Sequence, residues 1–140
     1  MEDDGEDPEN CGLRIGDCGL VTMNPNEMKK RTKACALAII RLVESLPNTP
    51  TARLVGHQLL KCGTSVGANY RASCRAKSQA DFIAKMGIVE EEADESVYWM
   101  EVLVESKVLL PSAVIELCDE GNQIVAIVVA SINTARGTRR

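Results

Sequence analysis

The sequence predicts an all-α protein, an antiparallel up-down-up-down four-helix bundle. Apolar residues recur with a helical period in four segments, links of a few residues marked by proline separate those segments, and only 3% of the residues are aromatic. With 45% hydrophobic residues and so few rings, the core falls to Leu, Ile, Val, Ala and Met, which suits packed helices better than a β-sandwich. The 140 residues make the length of one domain.

Residues 1–27 carry a dense set of acids and several glycines without helical periodicity, and they read as a disordered acidic leader ahead of a bundle over 28–140. Met23 and Met28 are both candidate biological starts. From Met28 the stripe Met28, Cys35, Ile39, Leu42 and Leu46 defines the first helix, which Pro47 ends. Thr49 before Pro50 is a cap followed by proline at the first helical position, and it opens a second helix reaching about Ala76. Ser78, with Asp81 three residues on, starts the third in the manner of a capping box. Phe82, Met86, Val89, Ala93, Val97, Met100 and Val104 then hold a helical rhythm to about Leu109.

Pro111 and Ser112 begin the fourth helix, with the stripe Val114, Leu117, Gly121, Ile124, Val128, Ser131 and Ala135. Its middle, IVAIVVA, is β-branched, yet a lone strand after three helices has no partner to pair with. That middle is apolar on all sides, which predicts cover from a second subunit, with Ile127 and Val129 as interface residues. The strongly apolar part, Ile124 to Ala130, is too short against the ~20 residues of a membrane-spanning helix. No signal pattern opens the chain, which begins MEDDGEDPEN, so a cytoplasmic protein without membrane contact is expected.

Catalytic and metal chemistry find little support. The six cysteines, at 11, 18, 35, 62, 74 and 118, form no CxxC pair, and those in helical segments read as small core residues. His57 stands alone, and Leu54 lies three residues before it where a di-iron ExxH needs glutamate. Glu91, Glu92 and Glu95 share helix faces, an arrangement that either holds a metal or forms a solvated, ion-paired face, and the second is the simpler account. GTSVGANYR, residues 63–71, lacks the GK[ST] of a phosphate loop; Gly63 and Gly67 instead allow close helix approach or a kink, with Ser65 and Asn69 as candidates to bond local carbonyls. No catalytic residue, metal or cofactor is expected.

Charge is the informative feature. Residues 29–85 carry eleven bases and two acids, whereas 86–135 carry ten acids and one base, inside a net charge of only −4. In the predicted topology the start of the first helix, the end of the second, the start of the third and the end of the fourth meet at one end. Lys29, Lys30, Arg31, Lys33, Arg71, Arg75, Lys77, Lys85 and the arginines at 136, 139 and 140 gather there, opposed only by Glu27 and Asp81. Glu44, Glu101, Glu105, Glu116, Asp119 and Glu120 collect at the other end. Such a basic end is the electrostatic footprint of a phosphate-rich partner, with Lys29, Lys30, Lys33, Arg71, Arg75 and Lys77 as candidate contacts. Two accounts stand open for Arg71 and Arg75, namely nucleic-acid contact and pairing with glutamates of the third helix. Few aromatics are available to stack on bases, so contacts should fall on backbone phosphates.

The run QLLKCGTSVGANYRASCRAKSQADFIAKMGIVEEEADESVYWMEVL, residues 58–103, resembles the four-helix-bundle family of proteins encoded in intervening sequences of bacterial 23S ribosomal RNA genes, related to the accessory proteins of diversity-generating retroelements. SVGANYR, ADF and EEADES carry the likeness, which extends from MKKRTK at Met28 through the fourth helix; many members have proline where this chain has Gly67. The resemblance implies a homo-oligomeric ring, typically a pentamer, with nucleic-acid or ribonucleoprotein roles, either a ribonucleoprotein or a reverse transcriptase as a candidate partner, and no active site. Together these readings predict a non-enzymatic homo-oligomeric scaffold that binds RNA or DNA through its basic end. The alternative is a protein-interaction adaptor that receives an acidic protein surface there.

Overall fold

The computed structural model describes residues 24–137, and the acidic segment before them, with Arg139 and Arg140, lies outside the described residues. Four helices follow one another, α1 (Pro25–Glu44), α2 (Pro50–Ser73), α3 (Gln79–Glu105) and α4 (Ile115–Ala135), and a 3-10 turn at Pro111–Ala113 precedes α4. No strand occurs among the described residues.

The helix starts show why these segments fold where they do. Asn24 accepts a bond from the Glu27 amide at 2.8 Å, and Pro25 occupies the first turn, where its missing N–H costs nothing. This start lies inside the stretch 1–27 assigned to the leader, three residues before the expected Met28. Thr49 caps α2 through the Ala52 amide at 3.2 Å, as its position before Pro50 predicts. Ser78 caps α3 through the Asp81 amide at 3.0 Å. The Asp81 carboxylate reaches back one residue beyond the usual box partner, to the Lys77 amide at 3.0 Å, and takes the Lys85 ammonium at 2.5 Å.

Helix α3 stops at Glu105, short of the expected Leu109. Lys107 takes the left-handed conformation at φ 69°, the Val108 amide bonds the Leu103 carbonyl and the Lys107 amide bonds that of Val104, both at 3.0 Å. This is a Schellman ending built on lysine instead of glycine, and Leu103 and Val108 belong to the same apolar cluster.

Two core clusters fix the topology. Met28, Val66, Tyr70, Phe82, Met86, Val128 and Ile132 share one, which joins the start of α1, the end of α2, the start of α3 and the end of α4. Ile39, Val55, Leu59, Met100, Leu103 and Val114 form the other at the opposite end. The order is therefore up-down-up-down. Leu59, Met100 and Leu103 are wholly buried, each contributing about 1.5–3 kcal/mol of transfer free energy.

Glycine sets the spacing between helices. A Cβ at Gly63 would fall 2.6 Å from Ile39 Cδ1, and one at Gly67 would fall 3.1 Å from Thr32 Oγ1, so α1 lies close on α2 along this line. Close approach, one of the two roles read for these glycines, is the one observed; α2 continues through Gly67 as helix. Ser65 and Asn69 bond the carbonyls of Cys62 and Ser65 at 3.2 and 2.9 Å, as expected of them. Helix α4 meets α3 through Gly121, where a Cβ would lie 2.7 Å from Val97 Cγ2. Contacts between α1 and α4 are sparse compared with those of the other adjacent pairs.

Candidate nucleic-acid interface

Between α1 and α2, at the end where α1 begins, runs a groove of about 400 Å³ lined by Lys29, Lys30, Lys33 and Arg71 over a floor of Thr32, Ala36, Thr64, Gly67 and Ala68. The small floor residues follow from the close helix approach, and the cations stand on the flanks because they occupy the outward positions of α1 and the last turn of α2. Lys30, Lys33 and Arg71 are exposed and Lys29 is half-buried. Among the described residues none of the four meets a carboxylate in an ion pair. Thr32 donates its hydroxyl to the Met28 carbonyl at 2.9 Å and Thr64 to that of Leu60 at 2.6 Å. Both threonines thus spend their donor within their own helix, and the groove's free donors are the cations.

Four of the six sequence-predicted contacts, Lys29, Lys30, Lys33 and Arg71, therefore line one groove. Arg75 and Lys77 are exposed in the link after α2, outside the lining. Neither Arg71 nor Arg75 is joined to a glutamate of α3 among the described residues, which removes that account of them.

The basic end is less uniformly basic than the sequence implies. Arg31 lies across the α1–α4 seam and donates to both carboxylate oxygens of Glu120, at 2.8 and 2.7 Å, and to Gln123 at 3.0 Å. Glu120 was expected at the far end, yet it pairs with Arg31 across the seam. The bonded carboxylate raises the Arg31 pKa still further, so this cation is committed to holding α1 against α4. Lys85 is likewise taken by Asp81. Among the described residues, Lys29, Lys30, Lys33 and Arg71 stand on the α1–α2 face without an ion pair.

The remaining candidate chemistry does not assemble. Glu91 is exposed, Glu92 is half-buried, and Glu95 accepts the Trp99 indole N–H at 3.0 Å. Among the described residues no three His, Cys, Asp or Glu side chains gather as a metal site. His57 is exposed beside a second cavity at the opposite end, with Asn48, Arg53 and Leu60. Burial pushes the Cys35 thiol up to about 11, with Glu120 adding to the effect, and burial raises Cys62 and Cys118 as well. A raised pKa favours the protonated thiol, as suits cysteines packed in a core.

On α4, Ile124, Val128, Ser131 and Ile132 are buried within the single chain, while Ile127 and Val129 are half-buried, with Ile127 packed on the core. The more exposed large apolar side chains are Leu37, Leu54, Ile88, Tyr98, Leu110 and Ile115, none of them in the middle of α4. Among the described residues no helix is long and apolar enough to cross a membrane.

Among curated proteins there is no match. Among solved structures, the chain is similar to a protein of unknown function from the S23 ribosomal protein family of Bacteroides thetaiotaomicron VPI-5482, at 30% identity and a TM-score of 0.72. The alignment covers 77% of this chain and 96% of that one. The sequence profile of the family described as 23S rRNA-intervening sequence protein matches residues 25–130, which takes in all four helices save the end of α4. The chain belongs to the 23S rRNA-intervening sequence protein family.

Proposed function

We propose that this protein is a non-enzymatic, homo-oligomeric scaffold that binds the phosphate backbone of a nucleic acid in the α1–α2 groove. The observation that carries the reading is the convergence of Lys29, Lys30, Lys33 and Arg71 on one concave surface, without a carboxylate partner among the described residues. Point charges that can contact successive phosphates suit a polyanion, and no aromatic side chain lines the groove to stack on a base. Binding is accordingly weakly sequence-specific. Arg75 and Lys77 extend the basic path beyond the groove. The name of the family ties its members to 23S rRNA, which favours RNA, and a ribonucleoprotein or a reverse-transcriptase complex is the fitting context. Assembly proceeds through α4, with Ile127 and Val129 meeting a second copy in a ring such as a pentamer, in the cytoplasm.

Binding of a fluorescent RNA to the full chain and to Lys33→Glu/Arg71→Glu tests the proposal. Both residues are exposed, so the variant should keep its helical circular dichroism and its light-scattering mass while losing at least tenfold in affinity. Equal affinity overturns the assignment of the groove. Capture of an acidic protein but not RNA by the same residues supports the adaptor reading instead. A scattering mass equal to the 15.2 kDa of one chain at micromolar concentration refutes the oligomer.

A further inference from the structure

The groove carries four cations that meet no carboxylate in an ion pair among the described residues, while the part of the chain that precedes α1 carries the opposite charge. Residues 2–9 hold six acids, Glu2, Asp3, Asp4, Glu6, Asp7 and Glu9, and no base. This segment joins the bundle at Asn24, the cap of α1, at the same end as the groove. Lys33, the groove lysine farthest from that point on α1, is nine residues on, about 14 Å along a helix. Fourteen residues lie between Glu9 and Asn24, fifteen steps of the chain, which allows a reach of up to about 50 Å. The connecting chain is therefore long enough to lay the acidic block along the groove, and the partial positive charge at the start of α1 favours an anion there.

We infer that the acidic block 2–9 occupies the α1–α2 groove and competes there with the phosphate ligand. The competition rests on the nucleic-acid reading; the docking itself does not. A tethered competitor acts at roughly millimolar effective concentration, enough to exclude weak polyanions while yielding to those that engage several phosphates. The segment thus sets a threshold of affinity for entry to the groove.

The test uses the full chain with Glu2, Glu6 and Glu9 changed to Gln and Asp3, Asp4 and Asp7 changed to Asn. Lysine acetylation by a water-soluble ester is followed by mass spectrometry at low salt. Reactivity of Lys29, Lys30 and Lys33 is expected to rise about threefold to tenfold in the neutralised chain, the factor set by a tethered competitor at about 1 mM effective concentration against a site with a Kd of roughly 0.1–0.5 mM. Lys107, at the far end of the bundle, should not change. Raising salt should bring the native chain to the same reactivity, because the Debye length contracts to about 3 Å at 1 M. Equal reactivity of the groove lysines in both chains at low salt overturns the docking. Affinity for a short single-stranded RNA should rise by the same factor on neutralisation. Increased lysine reactivity with no RNA binding by either chain supports the docking while refuting the nucleic-acid reading; RNA binding with unchanged affinity refutes the competition.

Discussion

Adding one methyl group at two glycines separates packing from helix propensity. Gly121 is buried in α4, and a Cβ there would stand 2.7 Å from Val97 Cγ2. Valine in a helix is held near one χ1 rotamer, so this methyl cannot swing aside and the two helices must part. Gly87 lies within α3, and a Cβ there meets no atom within 4 Å. Both substitutions to alanine gain the same helix propensity, about 1 kcal/mol. Only Gly121→Ala adds the overpacking cost of about 1–3 kcal/mol. Gly87→Ala should therefore stabilise by about 1 kcal/mol, and Gly121→Ala should range from neutral to destabilising by about 2 kcal/mol. The difference isolates the helix contact. With a urea dependence of about 1–3 kcal/mol per M, the two unfolding midpoints should differ by roughly 0.5–2 M, read by circular dichroism. Equal stabilisation by both variants would refute the tight α3–α4 contact. A second substitution, Val97→Ala, should recover part of the loss in Gly121→Ala, because it removes the opposing methyl groups.

Other residues give independent checks. Glu120→Gln leaves Arg31 with weaker, neutral partners across the sparse α1–α4 seam; since the pair is about a quarter exposed, at 23% and 29%, the loss should be about 1–2 kcal/mol in urea unfolding. Lys107→Gly relieves a left-handed non-glycine residue and should raise stability by up to about 1 kcal/mol, measured the same way. The Asp81 carboxyl is held below its ordinary value of 3.8 by Lys85 and then by the Lys77 amide. Its folded pKa is the lower one, so its contribution is complete above pH 3.8 and disappears as pH falls through the folded value. Asp81→Asn should accordingly flatten the acid limb of stability below pH 3.8, and an unchanged limb would contradict the assignment.

Much of the fold is legible in local sequence because helix starts are local chemistry. Thr49-Pro50 and Ser78 with Asp81 announce α2 and α3, and the structure places both caps there. Asn24, Pro25 and Glu27 carry the same signature, cap, proline and third-position acid, yet the surrounding acids and glycines mask it, and α1 begins three residues before its apolar stripe. The end of α3 has no such marker. Lys107 takes a conformation usually left to glycine while Val108 packs with Leu103 in the far core cluster, a tertiary cause invisible in sequence. The groove is half legible. Its charges can be counted, and topology brings Lys29, Lys30, Lys33 and Arg71 to one end, but its concavity depends on α1 lying over Gly63 and Gly67. Counting also overstates the basic end. Arg31 and Glu120, eighty-nine residues apart, neutralise one another by a contact that only the crossing of α1 and α4 creates.

The central claim, that the α1–α2 groove holds a nucleic-acid backbone by its four cations, is tested most directly by the salt dependence of binding. A single-stranded RNA of about eight nucleotides is short enough to engage one groove. Four phosphate contacts at a slope of about −0.7 each on a single strand predict that log K falls with log salt at about −3, and Arg71→Gln should reduce the slope to about −2. Absence of binding at low salt, or a slope that Arg71→Gln leaves unchanged, would contradict the account.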